Sequence, residues 1–376
     1  MSRRWSKSLW HLLGGAALSL SLVLVAPAVS AKNKDREAAQ ASKARTSKVT
    51  KRAAPRPSSP ARVKKATRPT AEAVRSRKQA SRSVRTRVRA VAPVAVPSVG
   101  VLAGLHRAED PLDLKSGVAL VVDQQSNEVL LSKNPDAVLP IASITKLMTA
   151  LVVVESGLAL EEAITIDEGD IELASRVRSR LLPGTTITRG ELLRLALMAS
   201  ENRAAHTLSR HFPGGAGAFV EAMNRKAREL GMQDSRFVEA TGLSADNRAS
   251  AKDLALLVAA ASQHDVIRDF STAKESLVPV GSQERVVQFR STNGLIGNPE
   301  WDISLQKTGY IAAAGRCLVM QASLAGRELT LVLLDSAGKY SRFADAERIR
   351  KWLLTQVPTM SATGLLPGST GGTSLR

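Results

Sequence analysis

The sequence predicts a mixed α/β fold in which an antiparallel sheet, assembled from both ends of one folded region, packs against helices. Three observations lead there. Strand-like runs occur at 117–132 and again after about residue 276, helix-like runs fill the interval, and the regular strand–helix–strand alternation of a parallel sheet is absent.

Taken in order, GVALVVD (117–123), the polar turn QQSN and EVLLS (128–132) read as a hairpin. ITKLMTALVVVE, ELLRLALMAS and NRAAHTLSRHF carry helical periodicity. So does AFVEAMNRKARELGM (218–232), where Gly231 suits the C-terminal cap, and AKDLALLVAAASQ adds another helix. ESLVPV, RVVQFR, RCLVMQASL and RELTLVLLDS then read as strands, and FADAERIRKWLLTQ as a last helix.

Charge is distributed unevenly. The whole chain of 376 residues carries +19, yet 20 Lys/Arg against three acids give residues 32–89 a net of +17. Arg3, Arg4 and Lys7 account for +3, which leaves about −1 for everything after residue 90. Residues 32–98 are rich in Ala, Ser, Arg, Lys and Pro and contain no aromatic residue. Such a stretch buries too little apolar surface to offset the entropy of ordering, so a disordered basic linker is expected. The Gly/Ser-rich end, 359–376, reads as a flexible tail, leaving 99–358 as the folded domain.

Ahead of the linker, the basic residues are followed by an apolar run from Leu12 to Val25, with small residues at Val29 and Ala31. This is the pattern of a signal peptide over 1–31, cleaved before Lys32. A retained membrane anchor is the alternative, and either reading takes the rest of the chain out of the cytoplasm, to the periplasm. The linker's charge suits electrostatic contact with anionic envelope surfaces. Nucleic acid is not an expected partner: the linker lacks aromatics for base stacking, and export removes the chain from the nucleoid. Cys317 is the only cysteine, so no intramolecular disulfide forms, and its apolar surroundings suggest an inert buried thiol.

Three short motifs carry chemistry when read in order. Lys307-Thr308-Gly309 occurs once. Ser-x-x-Lys occurs at Ser143, Ser271, Ser304 and Ser336, and Ser-x-Asn at Ser132, Ser200 and Ser291. Order leaves Ser143 or Ser271 as nucleophile. The set from Ser271 spans 36 residues, too few to carry a helical layer, whereas the set from Ser143 is spaced by 57 and 107 residues. Ser143 is therefore the expected nucleophile. On a helix, Lys146 shares its face, and a first-turn backbone N–H is available to an oxyanion. A serine hydroxyl needs a base, and lysine serves when burial and a second cation, here Lys307, depress its pKa. Ser200 and Asn202 fall at a helix–helix junction, Ser200 to relay a proton to the leaving amine and Asn202 to hold Lys146 and the substrate amide. Plain N-capping by Ser200 is the alternative. His206 and His211 supply no triad, and surface or packing roles are expected for them.

These motifs, together with PIASITKLM, FVEAMNRKARELGM, EATGLSADNRASAKDLA, STNGL and KTGYIAAAGRCLV, resemble the low-molecular-mass penicillin-binding proteins, which are serine D-Ala-D-Ala peptidases. The resemblance spans about residues 110–357, and its last run is similar to the endopeptidase branch. It implies a transpeptidase/β-lactamase-like fold, a peptidoglycan substrate, inhibition by β-lactams, and neither cofactor nor metal. It further implies that Ser143 is acylated, that Lys146 is the base, and that Ser200, Asn202 and Lys307 complete the cleft. Thr308 and Gly309 would line its substrate-facing strand, the backbone N–H groups of Ser143 and Tyr310 would form the oxyanion hole, and Arg342 would meet a substrate carboxylate.

A class A β-lactamase would add a deacylating glutamate. The nearest candidate, Glu221, sits in a periodic helix and reads as solvated or structural. Many carboxypeptidases of the family carry a second β-rich domain after the catalytic one. The 67 residues after Gly309 are taken up by two strands, a helix and the tail, so an endopeptidase is expected, with a D-alanyl-D-alanine carboxypeptidase as the alternative.

Overall fold

The computed structural model describes residues 96–172 and 179–356. The expected signal peptide, most of the basic linker and the C-terminal tail lie outside these residues. A short helix α1 (Val99–Leu102) opens the described part, its first turn capped by the Ser98 hydroxyl. The hairpin follows as β1 (Ser116–Asp123) and β2 (Val129–Lys133), with Asn127 at φ +58° in the turn.

Two-residue β3 (Leu139–Pro140) leads to a 3₁₀ turn, Ala142–Ile144, that runs straight into α2 (Thr145–Glu155). Every residue of α2 from Thr145 to Val153 is buried, as befits a largely apolar helix central to the domain. Next come β4 (Ala163–Thr165), α3 (Gly169–Glu172) and β5 (Thr186–Thr188). α4 (Arg189–Met198) starts with a reciprocal capping box between Thr188 and Glu191. α5 (Asn202–Arg210) and α6 (Gly215–Glu229) follow, and Gly231 just beyond α6 takes the left-handed φ of +77° expected of a cap.

β6 (Arg248–Ala249) pairs back onto β3, and α7 (Ala251–Ala261) and α8 (Asp265–Thr272) come next. Next come β7 (Glu275–Val280), β8 (Arg285–Arg290), β9 (Asp302–Ile311), β10 (Gly315–Leu324) and β11 (Arg327–Ser336), four of them read from their pattern and β9 implied only by the resemblance, and the last helix is α9 (Ser341–Gln356).

The main sheet has the order β2-β1-β11-β10-β9 and is antiparallel throughout. Pairing of Ser116 with Ser336 joins its N- and C-terminal halves, as the sequence suggested. β7 and β8 do not join it; they form their own two-stranded ribbon. Side chains alternate between the two faces of the sheet. Val118, Leu120, Cys317 and Val319 face the large helical layer, while Ala119, Val121, Leu318 and Met320 pack under α9. Both faces are covered, which is why these strands read as nearly unbroken apolar runs. Among the described residues no helix is long and apolar enough to cross a membrane.

Candidate active site

The site lies where three pieces of chain meet: the turn entering α2, the connection from α4 to α5, and edge strand β9. Ser143 sits in the 3₁₀ turn rather than in the α-helix proper, one residue after Ala142, which is held at φ +48°. Lys146, fully buried, follows in the first turn of α2, and its Nζ is 3.0 Å from Ser143 Oγ. The same Nζ donates to Asn202 Oδ1 (2.7 Å) and to the Thr241 carbonyl (2.6 Å). Two of these three partners can only accept, so the Ser143 hydroxyl is the one that can hand a proton over.

Ser200 occupies the connection at φ +57°, a conformation costly for a residue with a side chain. Its hydroxyl does not cap α5. The capping position belongs to Glu201, which makes no side-chain cap, and Ser200 Oγ instead accepts from Lys307 Nζ at 2.9 Å. Lys307, also fully buried, donates a second bond to the Thr308 carbonyl (2.8 Å). The triplet Ser143–Lys146–Asn202 and the pair Ser200–Lys307 form one polar cluster, in which the Lys146 charge acts on Lys307.

Burial is the main cause of the electrostatics here. It lowers Lys146 to about 8, while the carboxylates of Glu239 and Glu201 pull upward. Lys307 is pushed well below the ordinary lysine range, first by burial, then by the Lys146 ammonium and the Arg342 guanidinium. The sequence expected burial and a second cation to depress a lysine here; burial leads at both Lys146 and Lys307, and the Lys146 ammonium adds to it at Lys307. Two buried ammonium groups this close resist carrying two protons, so the pair titrates as a unit.

The remaining expected residues surround this cluster. A methyl on Gly309 would lie 2.9 Å from the Ile141 carbonyl oxygen and 3.1 Å from the Ser143 nitrogen, so β9 and the Ser143 turn touch backbone to backbone. Thr308 Oγ1 is engaged with Thr292 Oγ1 at 2.6 Å. The Tyr310 ring is exposed, with the Arg316 guanidinium 4.2 Å above it. Arg342, at the start of α9, is not hydrogen-bonded to the cluster: it donates to the Lys339 carbonyl and stacks on Phe343. Arg342 as a whole is 8 % exposed, its Nε is unpartnered, and burial and Arg316 lower it to about 10.

The rival serine is structural. Ser271 is fully buried on α8, donates to the Arg268 carbonyl and meets the Gln306 N–H. Glu221 is exposed on α6. Cys317 is buried and pushed up to about 12, so it stays a thiol. His206 lies on α5, lowered by burial.

Sequence reasoning missed the loop from Val238 to Asn247, which it read only as part of a resemblance. Thr241 supplies the Lys146 acceptor. Gly242, at φ +81°, packs so tightly that a Cβ would be 1.9 Å from the Ala142 carbonyl oxygen. Asn247 donates to Thr145 Oγ1 (3.1 Å), beside Lys146. The signal in EATGLSADN was the glycine among residues able to bond its backbone.

With this geometry established, similarity to known proteins becomes informative. The family model described as D-alanyl-D-alanine carboxypeptidase, peptidase S11, matches residues 105–338. The chain belongs to the S11 peptidase family. Similar proteins include the D-alanyl-D-alanine endopeptidase of Pseudomonas aeruginosa, 49% identical over 243 residues (65% of this chain, 78% of the relative). The D-alanyl-D-alanine endopeptidase of Escherichia coli is 44% identical over 263 residues (70% and 84%). Among solved structures, the Streptomyces K15 DD-transpeptidase superposes with a TM-score of 0.61 at 24% identity, covering 64% of this chain and 98% of its own, which establishes the fold. Penicillin-binding protein D2 from Listeria monocytogenes, in its cefotaxime-bound form, gives 0.55 at 29% identity over 65% and 98%. The expected transpeptidase-like fold and the family are both borne out, and as an S11 member the chain is a serine peptidase.

Proposed function

We propose that this S11 peptidase hydrolyses D-alanyl bonds in peptidoglycan through an acyl-enzyme, acting chiefly as an endopeptidase on D-Ala–diaminopimelate crosslinks. The observation that carries the chemistry is the set of partners around Lys146: two carbonyl acceptors and the Ser143 hydroxyl at 3.0 Å. A neutral amine donates two hydrogens and accepts one, so it uses all three contacts as a base would. The two relatives named endopeptidases favour the crosslink as substrate.

Ser143 Oγ attacks the D-alanyl carbonyl while its proton passes to Lys146. The backbone N–H groups of Ser143 and Tyr310 hold the developing oxyanion, and Asn202 orients Lys146 and the substrate amide. The C–N bond then breaks, and the leaving amine takes its proton through Ser200, which Lys307 supports. Thr308 and Gly309 line the strand along which the substrate lies, and Arg342 meets its carboxylate. Water next attacks the Ser143 ester and releases the acyl group. No metal or organic cofactor enters these steps.

A β-lactam carbonyl enters the same attack, but its amine stays tethered and the candidate deacylating glutamate, Glu221, is exposed on α6, so the ester persists. The signal-like N-terminus supports export to the periplasm, where the substrate is, and residues 32–98 would hold the enzyme to anionic envelope surfaces. Trimming of pentapeptides, which the family's description favours, is the secondary activity. Incubation with purified crosslinked muropeptide dimers tests the reading. Dimers should become monomers faster than pentapeptides lose terminal D-Ala. Efficient trimming without dimer cleavage would reverse the order.

A further inference from the structure

Behind Lys146 the loop Val238–Asn247 is organised around one carboxylate. Glu239 Oε2 accepts from the Thr241 N–H (2.6 Å) and Thr241 Oγ1 (2.5 Å). Its Oε1 accepts from the N–H groups of Gly242 (2.6 Å) and Ser244 (3.4 Å) and from Asn247 Nδ2 (2.8 Å). All five contacts present an N–H or O–H group to the carboxylate.

The peptide joining Thr241 to Gly242 is the important one. It is a planar unit with N–H and C=O on opposite edges. Glu239 holds the N–H edge at 2.6 Å, and the C=O edge meets Lys146 Nζ at 2.6 Å. Carboxylate, peptide and amine thus form a continuous chain of hydrogen bonds, in which each bond polarises the next. Asn247 anchors the arrangement at its far side: its Oδ1 accepts from the Val238 N–H, and its own carbonyl receives the Ile141 N–H at the nucleophile's turn.

We propose that Glu239 is a positioning residue for the S11 reaction, aiming and polarising the Thr241 carbonyl against Lys146 so that the amine's lone pair faces Ser143. It touches neither substrate nor the reacting atoms. This role rests on the acyl-enzyme reading above and goes beyond it by naming what sets the base. The charged or titratable groups facing Lys146 are Lys307 from β9, Glu201 from the α4–α5 connection and Glu239 itself; His206 on α5 also feels Glu239.

The test follows acylation by a fluorescent penicillin from mildly acidic to alkaline pH in the full chain, in Glu239→Gln and in Glu239→Asp, with melting curves alongside. Glutamine accepts on one oxygen only and removes a negative charge near the ammonium. Its plateau rate should fall roughly 10–100-fold, the loss typical of removing an orienting partner behind a reactive group. Its acidic limb should also move to lower pH, because the lost charge had favoured the protonated amine. Aspartate keeps the charge but is too short to span the turn, so its rate should fall while its limb stays at the parental pH. A Gln variant with the parental limb reduces Glu239 to a structural residue and overturns the proposal. Should the Gln variant not fold, the Asp variant decides, and a parental rate there overturns it equally. Failure of the acyl-enzyme reading is distinct: the parent chain itself would not be labelled.

Discussion

The backbone of Gly309 passes so close to Ser143 that a side chain could begin only 3.1 Å from the nucleophile's amide nitrogen. A Gly309→Ala methyl would also meet the Ile141 carbonyl oxygen at 2.9 Å, so strand and turn must part by a few tenths of an ångström. Small displacements of an aligned nucleophile are costly, and acylation by penicillin should fall by roughly 10–100-fold. The melting temperature should drop modestly, as overpacking costs about 1–3 kcal/mol. Rates within twofold of the parent would mean that strand and turn yield without consequence.

Lys146, lowered to about 8 by burial, gives acylation its pH dependence. In the proposed mechanism the active form is the neutral amine, whose fraction grows as pH rises. Acylation should therefore climb through about pH 8 and then level off. Lys146→Arg keeps the charge but does not deprotonate, and should lose on the order of 10²–10⁴ in rate. Stopped-flow labelling of both chains across pH measures this, and a mild loss in the Arg variant would assign the base elsewhere.

Ser143→Ala should abolish penicillin labelling while leaving far-ultraviolet circular dichroism and melting close to those of the parent. Ser271 gives no substitute, since it is buried and engaged with Arg268 and Gln306. A labelled peptide containing Ser271 in a tryptic map would contradict the assignment.

The same cluster indicates how far the sequence could be read. Ser143, Lys146, Ser200, Asn202 and Lys307 were accessible because the chemistry demands those residue types in that order. The central sheet was accessible because burial on both faces leaves unbroken apolar strands. Glu239 was not, because its role depends on two turns of backbone that no spacing rule encodes. Ser200 could not be separated from a helix cap until its positive φ and its bond to Lys307 were known. α8 went unread because its eight residues bury only Ile267 and Ser271, too few to show a period. The β7–β8 ribbon was assigned as strand, but alternation says nothing about which sheet a strand joins.

Residues 32–89 carry a net +17 while the chain after residue 90 is near neutral, so binding to sacculi or anionic vesicles should follow that segment and fall steeply with salt. The comparison is between a chain beginning at Lys32 and one beginning at Val96, which retains the Ser98 hydroxyl bonded to buried Asp335 at 2.8 Å. The shorter chain should sediment weakly with either surface yet acylate at the parental rate. Equal, salt-insensitive binding by both would leave the segment a spacer.

The strand order of the sheet also sets the time at which the enzyme comes alive. β1 has no partner on its inner side until β11 exists, since Ser116 pairs with Ser336. Lys307 reaches Ser200 only on a strand held in place by β10 and β11. Contacts between distant parts of a chain form late, after the entropy of closing long loops has been met. A chain that lacks its final strands therefore holds Ser143, Lys146 and Ser200 in unfinished surroundings, and the proposed acyl transfer can begin only once those strands have arrived.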